Sequence, residues 1–84
     1  MPTLSQFYGI TIKMYFEMAE HYPPHFHVLY GEREAEYSIK TGKILAGRMP
    51  RKVSKLIYEW TLIHHDELQK VWDTQEFTKI EPLE

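Results

Sequence analysis

Apolar and polar side chains alternate along the first part of the chain. The alternation is clearest over residues 10–16, where every second side chain is apolar. A period of two is typical of a strand with one buried face. The same reasoning predicts three further strands, at 25–30, 34–39 and 44–47. Short turns separate these segments, so sequential strands should pair as antiparallel neighbours.

The segments between the predicted strands have the composition of loops and turns. Residues 17–24 break the alternation and end in two prolines, which predicts a loop with an extended exit. Residues 31–33 form the next turn, and residues 40–43 form a hairpin turn. Gly42 suits this hairpin because glycine adopts a positive φ without strain.

After the strands, apolar residues recur at spacings of three and four, which predicts an amphipathic helix. Pro50 opens the helix, in the first turn, where its missing N–H costs no hydrogen bond. The pattern continues for about five turns, which corresponds to roughly 30 Å. The apolar positions of the pattern are Val53, Leu56, Ile57, Trp60, Ile63, Leu68 and Val71.

Together these elements predict a single α+β domain over residues 1–84. Its two layers are an antiparallel four-stranded β-meander and one long C-terminal helix packed on one face of the sheet. Residues 77–80 can add a short edge strand. The opposite face of the sheet is then either solvated or used in function.

Composition narrows the classes of protein to consider. The chain has 84 residues, enough for one domain, and it contains no Cys. Disulfides and thiol catalysis are therefore excluded, and a reducing cytoplasm is the expected location. The N-terminus lacks the pattern of a signal peptide, and no apolar run is long enough to span a membrane. The net charge of −2 argues against bulk attraction to nucleic acid.

Three histidines around a Pro-Pro pair are the clearest candidates for chemistry. His25 and His27 share one face of a predicted strand, about 6.6 Å apart along it. His21 lies just before them, across the stiff prolines. Three imidazoles can hold a divalent metal and leave coordination positions open, as catalytic sites require. The alternative is that they are ordinary half-buried strand residues with hydrogen bonds to the backbone.

The predicted helix adds two polar residues to the picture. His64 and Glu67 fall inside its apolar stripe, where a polar side chain must find a partner. They can form a buried polar network, a fourth metal ligand with an orienting carboxylate, or an acid/base pair. Alternatively, the helix overhangs the sheet there and both residues contact water. With His25 and His27 they are the candidate catalytic residues, whereas His65 falls on the polar side.

Four cations crowd the predicted start of the helix. They are Arg48, Arg51, Lys52 and Lys55. Basic side chains beside free helix N–H groups can form an anion-binding site for phosphate or nucleic acid. The alternative is a solvated helix end whose charge Glu59 and other acids offset.

Several motifs spread over nearly the whole chain resemble one family. They are Met1-Pro2-Thr3, Phe7-Tyr8-Gly9-Ile10, Met14-Tyr15-Phe16, Pro23-Pro24-His25-Phe26-His27-Val28, Tyr30-Gly31, Ile39-Lys40-Thr41-Gly42 and Glu59-Trp60 with His64 and Leu68. The chain resembles the bacterial family catalogued as domain of unknown function 4160. The resemblance implies a small stand-alone bacterial protein, often encoded beside another small protein in a toxin–antitoxin-like or regulatory pair. The family has no established activity that the resemblance could transfer to this chain.

The leading functional hypothesis is a protein-binding or regulatory module that pairs with a small partner protein or with a second copy of itself. The exposed sheet face and the basic start of the helix are the candidate surfaces. The alternative is a small metal- or histidine-dependent hydrolase or nuclease centred on His25 and His27. A third hypothesis is nucleic-acid binding without catalysis, and the sequence leaves the question of enzymatic activity open.

Overall fold

The computed structural model of the protein describes residues 3–14, 24–74, 76 and 78–83. These residues form an antiparallel sheet followed by helices, so the α+β prediction is confirmed at that level. The strands are β1 (Thr3–Phe7), β2 (Ile10–Lys13), β3 (His25–Tyr30), β4 (Arg33–Ser38) and β5 (Ile44–Gly47). The helices are α1 (Arg51–Ile63) and α2 (His65–Thr74).

The sheet is a meander in which each strand pairs with the next one along the chain. The order is β1-β2-β3-β4-β5, and all four pairings are antiparallel. Ile12, Val28 and Ala35 lie opposite one another across β2, β3 and β4, and all three are buried. Because directly paired residues share a face, this row marks the apolar face of the sheet.

Helix α1 lies against this apolar face. The Trp60 ring centroid is 5.8 Å from that of Phe26, which in turn stacks on Tyr37 at 5.9 Å. The Tyr37 hydroxyl donates a hydrogen bond of 2.9 Å to Ser54 Oγ. Aromatic rings thus form the centre of the core. This is expected of a small domain, which buries a limited share of its surface and gains most from large side chains.

The prediction of four strands was wrong because it missed β1. The register of the β1–β2 pair shifts between Thr3 and Ser5, so the strand contains an irregularity of the bulge type. As a result Leu4 and Phe7, three residues apart, are both buried. A bulge breaks the period of two on which sequence-based recognition of a strand depends.

The prediction of one long helix was also wrong, since the helix is interrupted at His64. This residue has φ −109° and ψ 22°, yet its N–H still donates to Trp60 O and its carbonyl accepts from Leu68 N–H. The buried stripe therefore runs through the interruption to Leu68 and Val71. Ile63, which the pattern placed in the stripe, is 64% exposed.

The described residues after α2 contain no strand, so no short strand forms in the described part of 77–80. This segment does contact the sheet, because the Ile80 N–H donates to Leu4 O at 2.8 Å. Of the predicted loop 17–24, residues 17–23 lie outside the described residues, and so do His21 within it and the end of the predicted first strand, residues 15–16. None of the described helices is both long enough and apolar enough to cross a membrane.

Candidate functional site

The sheet face opposite α1 carries a cluster of histidines and glutamates. The two-residue turn between β3 and β4 pairs His27 with Glu36 and His25 with Ser38. His25 and His27 are two residues apart on β3, so their side chains and that of Glu36 lie on one face. This is the pair that the strand alternation predicted, together with a carboxylate that the alternation did not identify.

The three side chains lie close enough to share one ion. Among the described residues, His25, His27 and Glu36 are a group whose potential ligand atoms all lie within 4.8 Å of one another. His25 Nε2 is 3.5 Å from Glu36 Oε1. Ligand atoms around a tetrahedral zinc lie roughly 3.3 Å apart, given metal–ligand distances of about 2.0–2.1 Å. The group therefore comes near to metal-site geometry with no change in the backbone.

Aromatic packing holds His25 in place. Its ring centroid lies 5.2 Å from that of Trp72 on α2 and 5.4 Å from that of His27. Only 8% of His25 is exposed, whereas Glu36 is half-exposed. One imidazole is thus fixed between rings, while the carboxylate has room to rotate toward it or toward a bound ligand.

Burial and a second carboxylate act on His27. Its Nδ1 lies 3.6 Å from Glu34 Oε2, which is an ion-pair distance slightly beyond that of a hydrogen bond. Burial lowers the pKa of His27, and the nearby His25 lowers it further, although Glu36 and Glu34 oppose the shift. The lowered pKa favours the neutral imidazole, which has a lone pair available to bind a metal or accept a proton.

A shallow depression of about 250 Å³ opens beside the histidines. It is lined by His27, Glu34, Ala35, Glu36, Ala46 and Gly47. Ala46 pairs with Glu36 across the β4–β5 ladder, and its small side chain leaves this space unfilled. Gly47 has φ +87°, and a Cβ there would lie 2.4 Å from Glu34 O, so only glycine allows β5 to approach β4 this closely.

The other predicted polar pair, His64 and Glu67, is separate from this cluster. His64 Nδ1 lies 2.7 Å from Glu67 Oε1, and the buried His64 ring lies 5.4 Å from Trp60. Glu67 is half-exposed. Neither residue belongs to the group of potential ligands around His25. His64 is thus a buried histidine, and its hydrogen-bond partner is the half-exposed Glu67 at the edge of the core.

A second candidate site is the basic groove between the β4–β5 turn and α1. Its volume is about 990 Å³. It is lined by Gly42, Lys43, Ile44, Arg51, Lys52, Ser54, Lys55 and Tyr58. Three of the four predicted anion-binding cations are in this set; Arg48 is exposed before α1 and does not line the groove. A Cβ on Gly42, which has φ +73°, would lie 3.0 Å from the Tyr58 ring.

Sequence reasoning missed four residues of these two sites. Glu34, Glu36 and Trp72 surround the histidines, and Lys43 adds a cation to the groove. A signal for Glu36 exists in the strand pairing, because a two-residue turn at 31–32 places it opposite His27. The predicted turn at 31–33 is one residue longer, which would have placed Tyr37 there instead.

Comparison with known proteins places the chain in a family. No curated protein and no solved structure matches the chain significantly. The sequence pattern of one family, described as a domain of unknown function (DUF4160), matches residues 9–73. This range contains β2 to β5, α1 and nearly all of α2, and with them both candidate sites. The chain therefore belongs to the DUF4160 family.

Proposed function

We propose that this chain is a protein-binding module that holds an acidic segment of a small partner protein in the basic groove. The observation that carries the proposal is the position of the groove beside β5, an edge strand of the sheet. Cations, exposed apolar side chains and strand backbone are thereby available on one surface. The partner envisaged is the small protein encoded beside it, as the family resemblance implies.

The charge of the groove selects the chemistry of the occupant. Lys43, Arg51, Lys52 and Lys55 line it, and its lining residues include no Asp or Glu. The whole chain, in contrast, has a net charge of −2. A concentrated positive surface on a slightly acidic chain attracts an acidic segment and raises its association rate.

Apolar side chains in and beside the groove can supply affinity. Ile44 and Tyr58 line it, and they are 42% and 40% exposed. Leu62 is 57% exposed one helical turn beyond Tyr58, on the same side of α1. Exposed apolar side chains rimmed by charges are typical of protein–protein contact surfaces. The occupant should therefore contain apolar as well as acidic residues.

The outer edge of β5 can bind an extended segment. All four residues of β5 are exposed, and none of the described residues pairs with its outer edge. An unpaired edge offers backbone donors and acceptors to an added strand. Such a strand can place acidic side chains toward the cations and apolar side chains toward Ile44.

A second copy of the chain fits the groove less well than an acidic partner. A twofold dimer brings the same surface of each copy together. Lys43, Arg51, Lys52 and Lys55 of each copy would then lie near the same cations of the other, which opposes association. Nucleic acid offers the required negative charge but not the apolar side chains that Ile44 and Tyr58 would contact.

The test is co-expression of the tagged chain with the product of the adjacent gene, followed by size-exclusion chromatography. The double variant R51E/K55E should weaken co-elution about tenfold or more, because it reverses two groove charges. The matched control is R33E/K70E, which reverses two exposed cations outside the groove. The control should co-elute like the unaltered chain.

Four outcomes would contradict the proposal. The first is failure of the unaltered chains to co-elute, and the second is equal loss in R51E/K55E and in the control. The third is binding of a duplex oligonucleotide that depends steeply on salt and is lost in R51E/K55E, which would assign the groove to nucleic acid. The fourth is elution of the chain alone as a dimer that R51E/K55E abolishes, which would assign the groove to self-association.

A further inference from the structure

We propose that His25, His27 and Glu36 form a binding site for a divalent transition-metal ion, and that zinc fits the three ligands best. This inference is independent of the proposed partner binding, because it concerns a different face of the sheet. Two imidazoles and one carboxylate are a ligand set that zinc accepts in proteins. Calcium and magnesium prefer sites made of oxygen atoms, so they should bind poorly here.

The geometry of the three side chains carries the proposal. Their potential ligand atoms lie within 4.8 Å of one another, and His25 Nε2 is already 3.5 Å from Glu36 Oε1. A tetrahedral zinc needs separations of roughly 3.3 Å, so the largest adjustment is about 1.5 Å. The half-exposed Glu36 side chain can contribute to this adjustment by rotation, because the depression lined by Ala46 leaves space beside it.

The strands and a neighbouring ring hold the two histidines before any ion arrives. The backbone at His25 and His27 is fixed by β3, a strand paired on both sides. Trp72 packs against the His25 ring and restricts its rotation. Binding a metal therefore requires little further ordering of these side chains, and low ordering cost favours affinity.

Glu34 is the positioning residue of the site. Its Oε2 lies 3.6 Å from His27 Nδ1, the ring nitrogen bonded to Cγ, and a small movement brings it to hydrogen-bond distance. A carboxylate that accepts a hydrogen from one imidazole nitrogen leaves the other nitrogen as the metal ligand and increases its basicity. His27 would then bind the ion through Nε2, while Glu34 orients the ring without touching the ion.

The site would keep one coordination position open. Three protein ligands leave the fourth position of a tetrahedral ion for water or for a small anionic ligand. The depression beside His27, with about 250 Å³ of space, gives access to that position from solvent. This arrangement differs from a closed structural zinc site, in which four protein side chains surround the ion.

The test is isothermal titration of the untagged, metal-free protein with zinc, and then with magnesium and calcium. We expect one zinc ion per chain and no saturable binding of magnesium or calcium. His27→Ala should weaken zinc binding about 100-fold or more, and Glu36→Gln should also weaken it strongly. Glu34→Gln should weaken it about 10-fold to 100-fold, as loss of an orienting carboxylate does.

His65→Ala is the matched control. His65 lies 3.4 Å from Asp66 on the surface of α2, so it is also a histidine with a carboxylate neighbour, but outside the cluster. The control should bind zinc with unchanged affinity and stoichiometry. Zinc should also raise the Tm of the unaltered protein and of His65→Ala, since a ligand of the folded state stabilises it. It should not raise the Tm of Glu36→Gln.

Several results would overturn the proposal. They are no zinc binding by the unaltered protein, less than tenfold weakening in both His27→Ala and Glu36→Gln, or equal weakening in His65→Ala. If His27→Ala does not fold, the decision rests on Glu36→Gln, whose side chain is half-exposed and nearly isosteric with the original. Loss of zinc binding in that variant, with an unchanged circular dichroism spectrum, supports the site.

Discussion

The sheet has two edge strands, and their outer edges differ: one is covered by another segment and the other is open. At β1, the C-terminal segment covers the edge: Ile80 is buried, its N–H donates to Leu4 O, and Trp60 Nε1 donates to Glu81 O at 2.9 Å. At β5, every residue is exposed, and no described residue pairs with the outer edge. Edge strands are normally covered or made poor at pairing, because an open edge invites association. The covered edge therefore contributes to stability, whereas the open edge is available for binding.

The largest effect that this comparison predicts is that of Trp60→Ala. Trp60 is fully buried and contacts Phe7 and Phe26, and it also holds the C-terminal segment. The substitution should lower the free energy of unfolding by about 3–5 kcal/mol. Urea denaturation followed by circular dichroism measures it. Leu62→Ala, on the exposed side of the same helix, should change stability by less than about 0.5 kcal/mol.

A loss below about 1 kcal/mol in Trp60→Ala would show that the covered edge does not depend on this residue. A loss in Leu62→Ala as large as that in Trp60→Ala would contradict the assignment of Leu62 to the binding surface beside the basic groove. The informative result is the combination of both variants, because Leu62→Ala is expected to weaken partner binding while leaving the fold intact.

The second prediction compares one isoleucine from each edge. Ile80→Ala removes buried apolar surface and loosens the cover over β1, so it should cost about 2 kcal/mol. Ile44→Ala removes a half-exposed side chain at β5 and should cost less than about 0.5 kcal/mol. Chemical denaturation of both variants under one set of conditions gives the difference. The backbone amide of residue 80 should also exchange its hydrogen faster in the Ile80→Ala variant than in the unaltered chain.

Equal losses in the two isoleucine variants would mean that the edges are not different in stability. In that case the open edge would have to be covered in solution, and self-association through β5 would be the first explanation to check by sedimentation.

The helices show what hydrophobic periodicity can and cannot predict. The period of three and four predicted one helix over the right residues, but not its interruption at His64. The buried stripe continues through Trp60, His64 and Leu68, so the sequence pattern is the same with and without the break. A change of backbone angles at one residue that keeps the same face buried leaves no signal in the pattern. The buried position of His64 could be predicted for the same reason.

The sheet shows the opposite case, in which small changes of register hide a strand and a site residue. β1 was missed because its bulge places Leu4 and Phe7 three positions apart. Glu36 was missed because a turn one residue too long shifts the pairing of β3 with β4 by one position. The histidine pair itself required only the alternation along β3, which is local, and was therefore predictable.

Contacts between distant segments were beyond the reach of the sequence pattern. Trp72 meets His25, and Lys43 joins the cations of α1, only because the helices fold back onto the sheet. Neither contact follows from spacing along the chain. The local cluster of Arg51, Lys52 and Lys55 was predictable because it lies on one turn of one helix.

The third prediction, with a smaller loss than Trp60→Ala or Ile80→Ala, concerns the polar contacts that connect each side of the sheet to α1. Trp60 Nε1 donates to Glu81 O, in the C-terminal segment that covers β1. On the other side, the Tyr37 hydroxyl, on the strand next to β5, donates to Ser54 Oγ. Tyr37→Phe removes that single hydrogen bond and should cost about 1 kcal/mol at neutral pH. Thermal unfolding of the variant and of the unaltered chain at one pH measures the loss.

Alkaline pH gives a sharper form of the same prediction. Burial raises the pKa of Tyr37 above its usual value of 10.0, although the hydrogen bond with Ser54 opposes the shift. Because the folded-state pKa is the higher one, the stabilisation is complete below about pH 10 and is lost as pH rises through the folded pKa. The unaltered chain should therefore lose more stability than Tyr37→Phe between about pH 9 and 11, and the two unfolding curves should converge. If both chains lose the same stability over this pH range, Tyr37 ionises as readily in the folded protein as in the unfolded one. Burial on the strand next to the open edge would then not hinder its ionisation.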